Sequence, residues 1–177
     1  MKSFFKATLI IMFAGICAIC PVAVLAGPFE DGVKAYDTGD YEKATALYRQ
    51  AADAGHAMAQ YRLGVLYING QGVPQSDEKA AALFRKAADQ GLGHAQYSLG
   101  VLYQRGRGVP KSKQQAAELF RVAADQNIPE AQYALAFLFF YGQGVPQSKE
   151  IAIMWLKKAA ALGDFSAQAQ LKQLGIQ

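Results

Sequence analysis

"LGVLYINGQGVP" occupies Leu63 to Pro74, and nearly the same string returns as "LGVLYQRGRGVP" from Leu99 to Pro110 and as "LAFLFFYGQGVP" from Leu135 to Pro146, at a constant step of 36 residues. Other positions keep the same step: Gln60, Gln96, Gln132 and Gln168 coincide, as do Tyr61, Tyr97 and Tyr133, and the glycine pairs 70/72, 106/108 and 142/144. A period of this size marks stacked supersecondary units, none of which can bury its apolar face alone.

Within one unit, Ala59, Leu63, Leu66, Tyr67 and Gly70 recur at helical spacing and share one face of a first helix. Gly64 and Gly100 lie on that face in mid-helix, where glycine costs about 1 kcal/mol relative to alanine, so the spacing predicts a close crossing there; Ala136 is the third member of the set. "NGQGVPQS" then stops the helix, because glycine takes left-handed backbone angles and Pro74 cannot continue the hydrogen-bonded turn. Ser76, Ser112 and Ser148 stand where a serine side chain caps the next helix, and "SKQQ" from Ser112 has capping-box spacing. That second helix carries Ala80, Leu83, Phe84, Ala87 and Ala88 on its buried stripe and ends at Gly91, Asn127 or Gly163. Each unit is therefore a hairpin of two helices. A shortened hairpin precedes the repeats, with "TGD" as its connection, and "AQAQLKQLGIQ" follows as a first helix that turns polar. The expected organisation is a leader over 1–26, a shorter unit over 27–58, full units over 59–94, 95–130 and 131–166, and a capping helix over 167–177.

Met1 to Ala26 has the layout of an export signal: Lys2 and Lys6, an uncharged apolar run from Ala7 to Cys20, Pro21, and small residues before a cut after Ala26. The alternative is an uncleaved anchor, since no charge appears between Lys6 and Glu30. Cys20 follows Ile19, which does not suit a lipid anchor. Cys17 and Cys20 are the only cysteines, so an exported chain is held by packing alone, and "CAIC" is not a redox or zinc motif in it. Of 18 basic residues, Lys2 and Lys6 leave with the leader, and the remainder exceed the 14 acidic residues only slightly. That balance gives no footprint for nucleic acid.

Ala59, Leu63, Gly64, Tyr67, Gly70, Gly72, Val73, Ala80, Ala87, Ala88 and Gly91 together resemble the Sel-one-like repeat, a branch of the tetratricopeptide-type solenoids. Two further copies fit the same pattern, with Ala136 for glycine, Phe139 for tyrosine and Asn127 for glycine as departures. The first unit, with Gly39, Tyr41, Ala44, Tyr48 and Ala51, is more similar to an ordinary tetratricopeptide unit. The resemblance implies an all-α, right-handed superhelical solenoid of antiparallel helix hairpins. It also implies a periplasmic or secreted adaptor that binds a protein or peptide in a concave groove lined by the first helices. Fold alone names no ligand.

A helix that buries one stripe has another to offer. In the first helices it comprises Met58, Tyr61, Val65, Ile68 and Asn69, then His94, Tyr97, Val101, Gln104 and Arg105, then Glu130, Tyr133, Phe137, Phe140 and Tyr141. The candidate protein-binding residues are Tyr61, Val65, Asn69, Tyr97, Val101, Arg105, Tyr133, Phe137, Phe140 and Tyr141. Rigid aromatics beside a charged or polar neighbour have the composition of binding hot spots, which puts most weight on Phe137, Phe140, Tyr141 and Arg105. Two other readings stand beside this one. The third unit's aromatics pack on the capping helix, and the three repeated tyrosines serve packing between units.

Chemistry is poorly provided for. His56 and His94 are out of register, which argues for surface or cap roles and against a repeated ligand set, and no pair has metal-site spacing. No motif asks for a cofactor. "SDEK", Ser76 to Lys79, has the serine and lysine spacing of penicillin-recognising enzymes, an activity linked to some cysteine-rich relatives of the repeat family. Ser112 and Ser148 lack the lysine, so capping accounts for the serine, and no matching triad is visible. "RGRG" from Arg105 is a weak patch for phosphate or lipid head groups. The expected function is a non-enzymatic interaction module, with a cell-wall hydrolase or a structural spacer as alternatives, and with no membrane insertion once the leader is removed.

Overall fold

The structure, a computed structural model, describes residues 27–176. The expected export segment, Met1 to Ala26, lies outside the described residues, and Cys17 and Cys20 with it. Among the described residues there are nine α-helices and no strand: α1 (Pro28–Asp37), α2 (Tyr41–Asp53), α3 (Ala57–Asn69), α4 (Asp77–Asp89), α5 (Gly93–Arg105), α6 (Lys113–Asp125), α7 (Pro129–Tyr141), α8 (Lys149–Ala161) and α9 (Phe165–Gln173). Each helix packs chiefly on its neighbours in the chain, as the units of a solenoid do. The all-α repeat solenoid expected from the sequence is the fold observed. The first helices α3, α5 and α7 begin two residues before Ala59, Ala95 and Ala131.

The helix boundaries follow from local chemistry. Ser76, Ser112 and Ser148 each accept a hydrogen bond of 3.2 Å from the backbone N–H three residues on, satisfying one of the otherwise orphaned donors of the first turn. At Ser112 only this half of a capping box forms, because its own N–H donates to the Tyr103 carbonyl at 2.9 Å. His56 caps α3 through Nδ1, which accepts from the Ala59 N–H at 3.2 Å. Asn127 takes a left-handed conformation, φ 60°, where its counterparts Gly91 and Gly163 do the same.

The core is built from small residues against rings. Ala59, Ala80, Ala87, Ala95, Ala116, Ala123 and Ala131 have no exposed surface, which lets the helices approach closely. The crossing expected at Gly64 and Gly100 is made by a side chain. A Cβ on either glycine would lie 2.6 Å from Cε1 of Phe84 or Phe120, the ring sent across by the second helix of the same hairpin. In the third hairpin both partners change: Ala136 replaces glycine, and Leu156 replaces phenylalanine. Lys172 of α9 holds the position of Gly64, so no further ring has a seat there.

Two devices join successive units. Each connecting loop rests on the start of the preceding second helix. A Cβ on Gly72, Gly108 or Gly144 would lie 2.8, 2.7 or 2.8 Å from the backbone nitrogen of Glu42, Glu78 or Gln114. The repeated glutamines supply the second device. Gln60, Gln96 and Gln132 donate from Nε2 to the carbonyls of Ala52, Ala88 and Ala124 at 3.2, 3.3 and 3.0 Å, closing the C-terminus of the previous second helix. Gln90 then donates to Gln60 Oε1 at 2.8 Å, and Gln126 to Gln96 Oε1 at 2.9 Å. The residue corresponding to Gln126 in the third unit is Leu162, and Gln132 Oε1 is buried with no partner.

Candidate trough on the first helices

Two hollows open on the first helices. The first lies between α3 and α5, holds about 240 Å³, and is lined by Val65 and Ile68 from α3 and by Tyr97, Ser98, Val101 and Arg105 from α5. Phe84 and Leu102 lie among its lining groups, as does Arg107 of the following loop. The second is much smaller, about 20 Å³, and belongs to α7: Tyr133, Phe137, Phe140 and Tyr141 line it together with Ala136, Leu156 and, from α9, Gln170.

The packing beneath explains why the units differ. In the first two, the repeated tyrosine leans on the ring seated over the glycine, Tyr61 on Phe84 and Tyr97 on Phe120, with centroids 5.7 and 5.6 Å apart. These contacts are packing within a hairpin, not between units; of their ring contacts among the described residues, only that of Tyr61 with His94 reaches the next first helix. Tyr97 also lines the first hollow. In the third unit Leu156 offers Tyr133 no ring, and the aromatics gather on one another instead. Phe137 and Tyr141 are 4.5 Å apart and Phe140 meets Tyr141 edge-on at 5.1 Å. Phe137 remains 40% exposed and Tyr141 54% exposed, so α9 does not bury them.

Val65, Tyr97, Val101 and Arg105 thus come together in one hollow, and Tyr133, Phe137, Phe140 and Tyr141 in the other. Tyr61 and Asn69 line neither. Tyr61 packs between Phe84 and His94, and Asn69 donates to the Gln71 side chain at 3.2 Å. Ser98, Arg107 and Gln170 were not among the expected residues. Ser98 shares the helical face of His94, Val101 and Arg105, and Gln170 holds the same repeat position two units later, so spacing alone could have found both. Arg107 sits in the loop, where its guanidinium makes a two-pronged contact with Asp77 at 2.8 and 2.7 Å.

Burial raises the Tyr97 phenol above its ordinary range, Glu130 adds to the shift, and the nearby Arg105 charge opposes it. The hydroxyl stays protonated near neutrality and is available as a donor. The candidate serine chemistry at Ser76 is otherwise engaged: its hydroxyl accepts from the Lys79 N–H and donates to Glu78 at 3.1 Å, while the Lys79 ammonium lies 5.3 Å from the centre of the Tyr67 ring. Among the described residues no group of three or more His, Cys, Asp or Glu side chains is placed to hold a metal ion, and no helix is long and apolar enough to cross a membrane.

A model of the Sel1 repeat matches residues 27–56, 57–92, 93–128 and 129–164. Among solved structures, a protective antigen of uropathogenic Escherichia coli strains displaying an SLR fold is 37% identical. The match has a TM-score of 0.78 and covers 81% of this chain and 32% of that one. A Sel1 repeat protein from Oxalobacter formigenes is 32% identical, also with a TM-score of 0.78, over 82% of this chain and 58% of its own. A curated relative from Rhizobium leguminosarum bv. viciae, named as an exopolysaccharide production negative regulator, is 43% identical over 54 residues, 29% of this chain and 20% of the relative. The chain spans between a fifth and about three fifths of the length of these proteins.

Proposed function

Because the chain belongs to the Sel1 repeat family, whose members are protein-interaction scaffolds, we propose that it is a non-enzymatic adaptor that holds a protein or peptide segment in the trough formed by α3, α5 and α7. The observation that carries this reading is the pair of hollows lined by apolar and aromatic side chains, of which Phe137 and Tyr141 remain 40% and 54% exposed among the described residues. Exposed, mutually braced aromatics are low-entropy anchors of the kind that dominate binding energy. The trough residues in this reading are Val65, Tyr97, Val101, Arg105, Tyr133, Phe137, Phe140 and Tyr141, with Tyr61 and Asn69 at its margin.

The layout of Met1 to Ala26 supports export to the periplasm or beyond, which would place the partner outside the cytoplasm. The relative named as a negative regulator fits a scaffold that acts by binding, although the match covers 29% of this chain. A serine hydrolase is disfavoured by the use of the Ser76 hydroxyl as a helix cap and by the position of Lys79 over Tyr67.

The reading is tested by comparing the proteins retained by the purified wild type and by the Phe137→Ala plus Tyr141→Ala variant. Both side chains are exposed, so the variant should keep its helical circular dichroism while losing specific partners. Identical retained sets from two folded proteins would remove the trough assignment.

A further inference from the structure

We propose that the trough selects a peptide segment carrying a carboxylate side chain, seated against Arg105, followed along the stack by an apolar or aromatic side chain that rests on the exposed Phe137 and Tyr141 of the third unit. The inference rests on the trough reading above and adds the chemistry of the partner.

The charges lining the two hollows set the first half of the specificity. Arg105 and Arg107 are the only charged lining residues, and no acid joins them. Arg107 is committed to Asp77 through both of its bonds. Arg105 makes no ion pair among the described residues, and it lines a hollow whose other walls include Val65, Ile68 and Val101 beside Tyr97 and Ser98. Arg105 is exposed, so a carboxylate brought there gains a charge-assisted hydrogen bond to a free guanidinium, while the apolar walls remain for the rest of the segment. Size points to a side chain: about 240 Å³ falls below the roughly 300 Å³ at which small-molecule sites begin.

Register sets the second half. Positions 69, 105 and 141 are equivalent in the repeat and all exposed, and they read Asn69, Arg105, Tyr141; the row beside them reads Val65, Val101, Phe137. A segment laid across the helices meets these rows one unit at a time, passing from a polar residue to a cation and then to exposed aromatics. Glu130 and Asp164, the acids that bear on Tyr97, lie in the first turn of α7 and at the N-cap of α9, the starts of those helices, whereas Arg105 and Tyr141 stand at the ends of theirs, and neither acid pairs with Arg105.

The test uses a displayed library of random short peptides, selected separately on the wild-type protein and on Arg105→Glu. Wild type is expected to enrich peptides with an Asp or Glu close to a Phe, Leu, Ile or Met. The Arg105→Glu variant is expected to enrich Lys or Arg in place of the acid while keeping the apolar residue. A fluorescein-labelled peptide from the wild-type selection should bind Arg105→Ala at least about tenfold more weakly, as loss of a charge-assisted hydrogen bond requires, and should weaken as salt rises. Peptides without acid enrichment, or the same peptides from both proteins, overturn the proposed chemistry while leaving the trough in place. Selected peptides that bind Phe137→Ala plus Tyr141→Ala with unchanged affinity overturn the trough itself.

Discussion

Gln132 and Leu162 hold the positions that Gln96 and Gln126 hold one unit earlier. Where the earlier pair shares a hydrogen bond of 2.9 Å, Gln132 Oε1 is buried with no donor. An unsatisfied buried acceptor costs about 1–3 kcal/mol, whereas a made bond contributes about 1 kcal/mol. Leu162 is 48% exposed, so little apolar burial is lost by replacing it.

Leu162→Gln should therefore stabilise the protein by about 1 kcal/mol, which for a chain of this size raises the thermal midpoint by roughly 2–4 °C. Thermal and urea unfolding followed by circular dichroism measure it. The reciprocal variant Gln126→Leu should lower the midpoint. A midpoint that is unchanged in both variants would show that the glutamine pairs carry no net stability.

Gly100→Ala adds about 1 kcal/mol of helix propensity yet places a methyl group 2.6 Å from Phe120 Cε1. Overpacking of this kind costs about 1–3 kcal/mol, so the single variant should be destabilised. Phe120→Leu alone leaves a void. Together they recreate the Ala136 and Leu156 pairing of the third unit, and the double variant should be more stable than the sum of the singles by about 1 kcal/mol or more. A double-mutant cycle in urea measures this coupling, and additivity within about 0.5 kcal/mol would refute a direct exchange of volume.

The Arg107–Asp77 pair joins the α3–α4 hairpin to the α5–α6 hairpin; at the equivalent junctions the residues are Gln71 with Tyr41 and Gln143 with Lys113. The side chains are 37% and 24% exposed, so solvent screening holds the coupling to about 0.5–1 kcal/mol at low salt. Asp77→Ala should cost more than Arg107→Ala, because Asp77 also lies in the first turn of α4, where a negative charge favours the helix. The cycle of both variants at low and high salt isolates the pair. A coupling that does not fall with salt would argue against an ionic contact.

The parts of this molecule that sequence displayed best are those decided within one helix or one turn. The cap serines, the glycine stops and the apolar stripes are set by spacings of three or four residues and lie where the repeat places them, except that Leu83 is half-buried and Ala81 takes its place in the core. The side-chain pairings between helices escaped notice although their offsets are constant: Gln60 with Gln90 and Gln96 with Gln126 inside one hairpin, Arg49 with Tyr67 and Arg85 with Tyr103 between successive hairpins. Such offsets acquire meaning only when the angles between helices are known. In the candidate trough, Val101, Phe137 and Tyr141 follow from a helical face, and Ser98 shares that face with Val101 and Arg105 while Gln170 repeats its position; both escape notice as small or polar residues, not because geometry hides them. Phe139, a departure from the family pattern, also has a local consequence: Arg121 has no hydroxyl to reach where Arg49 and Arg85 each find a tyrosine.

Gly108 lies at φ 65° against the backbone of Asp77 and Glu78, with no room for even one more carbon. It stands at the junction between the unit that carries Val65 and the unit that carries Arg105. Since hairpins touch only in sequence, whatever tilts that joint swings every later turn of the spiral as a lever does. The spacing between the arginine seat and the aromatic seat is governed in the same way at Gly144. A guest long enough to occupy both seats would thus gauge, with its own length, the tightness of a glycine it never touches.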